Sequence, residues 1–225
     1  MESSVSGLII KPRLNLLSIE ATLREVQSEF PRISQALNFS REWMDGEVVE
    51  NLLSGYALVN QLLESDTQLF GLGGSAYLLE LNTRVLCGTD EQKRREYNRH
   101  IAANNRYFYG RPDAGVQDLA EWYPLHQYEP VWQRAAGIYI RILREPQVFI
   151  EGNDRTGTLV MSYLLAKEGK PPFVLSPSNA QAYFEYSARV KKIPRNGISR
   201  LFRLPRLKAG IAGFLKHQTY PGHML

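Results

Sequence analysis

One stretch constrains this chain more than any other. It is the run from Gln147 to Gly157, QVFIEGNDRTG, set between two strongly apolar segments. Before it, Pro130–Leu143 (PVWQRAAGIYIRIL) puts Val131, Ala135, Ile138 and Ile142 at helical spacing. After it, Thr156–Lys167 (TGTLVMSYLLAK) is apolar almost throughout and stops at Gly169, Pro171 and Pro172. Both segments are expected to be buried helices, the first ended by Pro146. Gly152 and Asn153 tolerate unusual backbone torsions just where the second helix begins. The amides exposed at such a start, with the helix dipole behind them, suit an anion. Arg155 adds a forked cation matched to phosphate, and Glu151 adds a hard oxygen of the kind that holds Mg²⁺ beside a polyphosphate.

The remaining pattern is helical too, and the fold class expected is mainly α. Glu47–Glu64 places Val48, Leu52, Leu53, Tyr56, Val59 and Leu63 on a core face. Ser75–Cys87 repeats the pattern, with Ser75 as N-cap and Gly88 just past the end. Glu20–Phe30 reads as a helix stopped by Pro31, and Ser176-Pro177 as the N-cap and first position of a helix carrying Ala180, Tyr183, Phe184 and Ser187. Val116–Trp122 is a short amphipathic helix. Arg106–Gly115 (RYFYGRPDAG), rich in aromatic and turn residues, reads as a short strand or hairpin.

The loop resembles the signature of the Fic family, HPFx(D/E)GN(G/K)RxxR, aligned over Gln147 to Thr158. The flanks resemble the family as well: YLLELNTRVLCG at 77–88, YFYGRPDAGVQDLAEW at 107–122 and DRTGTLVMSYLLAKEGKPPFVL at 154–175. The resemblance covers about Glu47 to Arg189. It implies a Fic-type helical bundle with a short β-hairpin flap, in three parts: an N-terminal helical extension (1–46), a Fic-like core (47–188) and a basic C-terminal segment (189–225). It also implies an activity, transfer of AMP or a related phosphate-containing group from a nucleotide to a protein hydroxyl. In that scheme Gly152, Asn153, Asp154 and Arg155 bind the phosphates, Glu151 holds Mg²⁺ beside ATP or another nucleotide, and Phe149 anchors the loop.

Three of the departures from the signature bear on the chemistry. Gln147 stands where the family has its general-base histidine, and an amide cannot accept a proton at neutral pH. Losing a general base costs about 10²- to 10⁴-fold in rate. Glu145-Pro146 resembles a His-Pro pair displaced by two residues, which makes Glu145 a second candidate base. His126 reads as a structural or surface histidine. Asp154 replaces Gly or Lys, and Thr158 replaces the final arginine. The family's inhibitory pattern (S/T)xxxE(G/N) has no full copy, the nearest being Arg41–Gly46 (REWMDG).

Charge and cysteine usage set the outer bounds. From Arg189 onward there are nine basic residues and no Asp or Glu, whereas over 1–188 the other 18 of the 27 basic residues face 23 acidic ones. Such a tail suits an anionic partner or is a solvated helix face. Cys87 is the chain's one cysteine, so no intramolecular disulfide forms, and its apolar context reads as a buried structural thiol. With no signal-like N-terminus and no membrane-length apolar run, a cytoplasmic protein is expected. Three functions fit: a divergent transferase using Gln147, Glu145 or a distant base on an unknown target protein; an inactive module that binds a nucleotide or phosphate; or an interaction protein acting through its basic tail.

Overall fold

The structure, a computed structural model, describes residues 11–39, 43–111, 115–193 and 198–225. Its centre is the predicted pair of apolar helices, α7 (Val131–Leu143) and α8 (Asn153–Lys167), packed along each other. Twelve of the 15 residues of α8 are buried, so it has no solvent stripe and every face needs a partner. Two of those partners approach closely because a glycine permits it. A Cβ on Gly157 would meet the Tyr139 ring at 2.8 Å, and one on Gly55 would meet Leu159 at 2.3 Å.

Around this pair lie α1 (Leu16–Gln35), α2 (Gly46–Glu64), α3 (Gly74–Cys87), α4 (Glu91–Glu96), α5 (Asn98–Gly110), α6 (Gly115–His126), α9 (Ala180–Lys191) and α10 (Ile198–Gln218). The second and third helices cover one side of α8, while α10 covers α7 through Leu207, Ile211, Ala212 and Leu215. Residues on both sides of the expected boundaries near 46 and 189 share one buried cluster, from Leu14 to Leu215. The C-terminal turn η1 (Pro221–His223) docks on α1: His223 O accepts from Asn15 N at 2.8 Å, and Leu14 bridges Met224. Among the described residues that isolated bridge is the only β pairing, so the fold is mainly α, as the periodicity indicates.

Four local expectations are corrected. Residues 98–110 are helical, so the strand or hairpin expected from Arg106 is absent there, and 112–114 of that stretch lie outside the described residues. The aromatic residues that suggested a strand serve helix packing instead, with Phe108 fully buried against Phe149. Pro31 sits inside α1 rather than ending it, because the apolar face of Ile19, Leu23, Val26 and Phe30 continues through Ile33. Gly73, not Ser75, is the N-cap of α3, and its φ of 79° is one glycine accepts freely. Asn179 occupies the N-cap position of α9, its side chain bonding Ser176 N and Val174 O, so Ser176-Pro177 is the turn before the helix.

Other readings agree. Gly88 follows α3 at φ 63°, and Cys87 is buried with its thiol donating to Thr83 O, burial pushing that thiol up. Among the described residues no helix is long and apolar enough to cross a membrane. Among the described residues of the basic tail, Lys208 pairs with Glu129 and Lys191 with Asp154, whereas Arg189, Lys192, Arg203 and Arg206 are exposed.

Candidate functional site

The loop between α7 and α8 is shaped by its own amides. Helix α8 begins at Asn153, three residues before the expected start, with Gly152 at the N-cap position and φ 74°. A side chain there would meet Asn82 Nδ2 at 3.0 Å and Val85 at 3.1 Å, so glycine is required both by torsion and by space. Asn153, 4% exposed, is the loop's brace. Its Oδ1 accepts from Phe149 N at 3.0 Å, and its Nδ2 donates to Phe149 O at 2.8 Å and to Gln147 Oε1 at 3.0 Å. Phe149 is 1% exposed and stacks on Phe108 with ring centres 5.1 Å apart, which fixes the loop to α5.

Two more asparagines complete the scaffold. Asn104 Oδ1 accepts from Ile150 N at 2.9 Å, and its Nδ2 donates to Asn82 Oδ1 at 2.7 Å. Asn82 Nδ2 then reaches Glu151 O at 2.8 Å and Thr156 Oγ1 at 3.0 Å. Both asparagines are buried, and this relay satisfies backbone groups that the irregular loop would otherwise leave without partners. From α5, Tyr107 OH adds a bond to Gln147 O at 3.0 Å.

A cavity of about 460 Å³ opens at this helix start. One wall is polar and carries Gln147 and the whole run from Glu151 to Arg155, with Lys191 contributed by α9. The opposite wall is apolar, made chiefly by Phe30 of α1, Trp43, Met44 and Phe184 of α9. Phe30 meets Trp43 and Phe184 edge-on, at 5.4 Å and 6.3 Å between ring centres. Tyr56 offers only its ring, because its hydroxyl donates to Phe173 O at 2.7 Å and burial pushes its pKa far up. A volume of this size, mostly apolar with convergent polar groups at one end, is typical of a small-molecule site.

Each residue singled out in the sequence has a definite place. Gln147 lines the cavity with both amide atoms engaged, Oε1 by Asn153 and Nε2 on Leu143 O at 3.3 Å. Glu145 is exposed and outside the cavity lining, so the structure does not bring it to Gln147's position. Glu151 is on the rim with its carboxylate largely exposed, 3.7 Å from His100 Nε2. Asp154 turns toward α9, where Ser187 Oγ and Lys191 Nζ bind its two carboxylate oxygens. Thr158 is buried; its hydroxyl and that of Tyr183 lie 2.9 Å apart and each reaches Asp154 O at 3.1 Å. His126 is occupied in its own helix, Nδ1 donating to Trp122 O at 2.8 Å. Asp45, in the segment nearest the inhibitory pattern, caps α2 through Val48 N.

Sequence reading missed Lys191, Trp43, Phe30 and His100. They come from other helices and connecting segments, with no local signal beyond charge or apolarity. Among the described residues no three His, Cys, Asp or Glu side chains form a group able to hold a metal ion. Comparison with protein-family models, with curated proteins and with solved structures finds no match for this chain.

Proposed function

We propose that this chain is a nucleotide-binding module of Fic-like build in which group transfer has lapsed. One observation carries the reading: a single cavity joins the start of α8, with Arg155 on it, to an aromatic wall of Phe30, Trp43 and Phe184. Phosphate fits the first half, through amides, helix dipole and guanidinium. A flat, poorly hydrated ring fits the second. Mg²⁺ is compatible with Glu151 only as a guest of the ligand, because one carboxylate plus phosphate oxygens is a normal set for that ion.

Transfer is disfavoured by what surrounds the reacting position. A base must present a free lone pair to the incoming hydroxyl. The Gln147 amide has none suited to the task, and its oxygen already accepts from Asn153. Glu145 stands away in solvent. The module therefore holds its nucleotide rather than spending it. The test is incubation with ATP labelled at the α-phosphate, together with cell lysate and Mg²⁺. Label recovered with the native protein and released on denaturation agrees with the proposal. Label bound covalently to any protein in the wild-type reaction, above a no-enzyme control, overturns it.

A further inference from the structure

Asp154 looks at first like an obstacle to any anion, since it places a carboxylate on the first turn of α8. The structure assigns it the opposite role. Its two oxygens are taken by Ser187 Oγ and Lys191 Nζ, residues one turn apart on α9. Tyr183, a further turn back on that helix, binds the Asp154 carbonyl. Ser187 is fully buried and Tyr183 is 5% exposed, so this face of α9 is fixed. The Lys191 side chain, 35% exposed, lies on the cavity wall and is held there.

We propose that Lys191, positioned by Asp154, is the second cation for a bound polyphosphate. This rests on the nucleotide-binding reading above. Thr158 offers the ligand no donor, because its hydroxyl is buried in its own network with Tyr183 and Asp154. An ammonium group has three donors, so binding Asp154 leaves donors for a phosphate oxygen. A lysine is normally a flexible point charge, and the ion pair removes much of that freedom before the ligand arrives. The charge balance points the same way. Among the described lining residues the charged groups are Glu151, Asp154, Arg155 and Lys191. Without Lys191 two carboxylates would oppose one guanidinium, an arrangement that repels a polyphosphate. With it the charges of the described lining residues balance, and short-range donors decide.

The expected ligand is a nucleoside di- or triphosphate rather than a monophosphate. The amides at the helix start and Arg155 take the first phosphate, and Lys191 takes one further along the chain. The experiment compares ATP with AMP by calorimetry on the wild type, Lys191→Gln, Lys191→Arg and Asp154→Asn. Lys191→Gln is expected to weaken ATP by about tenfold or more, as losing a charge-assisted bond does, while AMP changes by less than about twofold. Lys191→Arg should restore most of the ATP affinity, and Asp154→Asn should cost ATP more than AMP, the lost positioning of Lys191 outweighing the removed carboxylate charge. A purely structural lysine would move both ligands together or neither, and that result overturns the proposal. If Lys191→Gln does not fold, the double variant Asp154→Asn/Lys191→Gln removes both charges of the ion pair together and gives the same comparison. A wild type that binds ATP but prefers AMP sinks this inference alone, whereas one that binds neither sinks the nucleotide reading with it.

Discussion

Asn153 Nδ2 lies 3.0 Å from Gln147 Oε1, and the same amide clamps both backbone groups of Phe149. The side chain at the position where the resembling signature carries histidine is thus part of the loop's internal bracing. A histidine placed there would have to give up or replace that bond to face a substrate. Gln147→Ala removes one half-buried acceptor and should lower stability by about 1 kcal/mol, with nucleotide affinity nearly kept. Asn153→Ala strips three bonds at once and should cost about 2–4 kcal/mol together with loss of binding. Urea denaturation with and without ATP reads both.

The Asn82 relay makes a sharper claim about stability. Its amide serves Glu151 O, Thr156 Oγ1 and Asn104 in a fully buried position. Asn82→Leu leaves those partners dry and unpaired, and about 2–4 kcal/mol of stability should be lost. Chemical denaturation measures this directly, and a loss under about 0.5 kcal/mol, the level of an ordinary surface substitution, would contradict the relay's role.

Gly152→Ala forces a side chain into a left-handed torsion at φ 74° with Asn82 at 3.0 Å. The torsion alone costs about 1–2 kcal/mol. Ligand affinity should fall further, because relief of the contact displaces the first amides of α8. Gly169→Ala, at φ 67° but with open space around it, serves as the control: similar torsional strain, no effect on binding.

The turn that docks on α1 gives the molecule a pH dependence. His223 is 3% exposed, Nε2 lies 3.0 Å from Thr22 Oγ1, and Nδ1 is buried with no partner among the described residues. Burial lowers its pKa below the ordinary imidazole value. The unfolded chain therefore binds the proton first as pH falls below about 6.5, and stability drops through that window. Above it the contribution is complete. Because α1 carries Leu23 and Phe30 into the cavity, nucleotide affinity should weaken over the same range. Thermal unfolding from pH 8 to pH 5 checks this, and His223→Phe should flatten the curve.

How much of this was legible follows the range of each interaction. The apolar periodicity of α2, α3, α7 and α8 located them to within a few residues, because burial on a helix face leaves a 3.6-residue trace in the sequence. The start of α8 at Asn153 rather than Thr156 was hidden, since Asn153 and Asp154 are polar yet satisfied by the loop and α9. Aromatic and turn residues at 106–110 suggested a strand, but their partners lie on a distant loop and decide for helix. The polar wall of the cavity could be read from one short loop. Lys191, Phe30 and Trp43 could not, because tertiary packing alone brings them to it.

The measurement that bears most directly on the central claim is calorimetric titration of the intact chain with ATP and Mg²⁺. The account predicts saturable one-site binding that Arg155→Gln weakens by about tenfold or more, as loss of a guanidinium–phosphate contact should. It also predicts that Trp43 fluorescence changes in step with the heat. No heat and no fluorescence change up to millimolar ATP would contradict it, and so would binding that Arg155→Gln and Gly152→Ala both leave untouched.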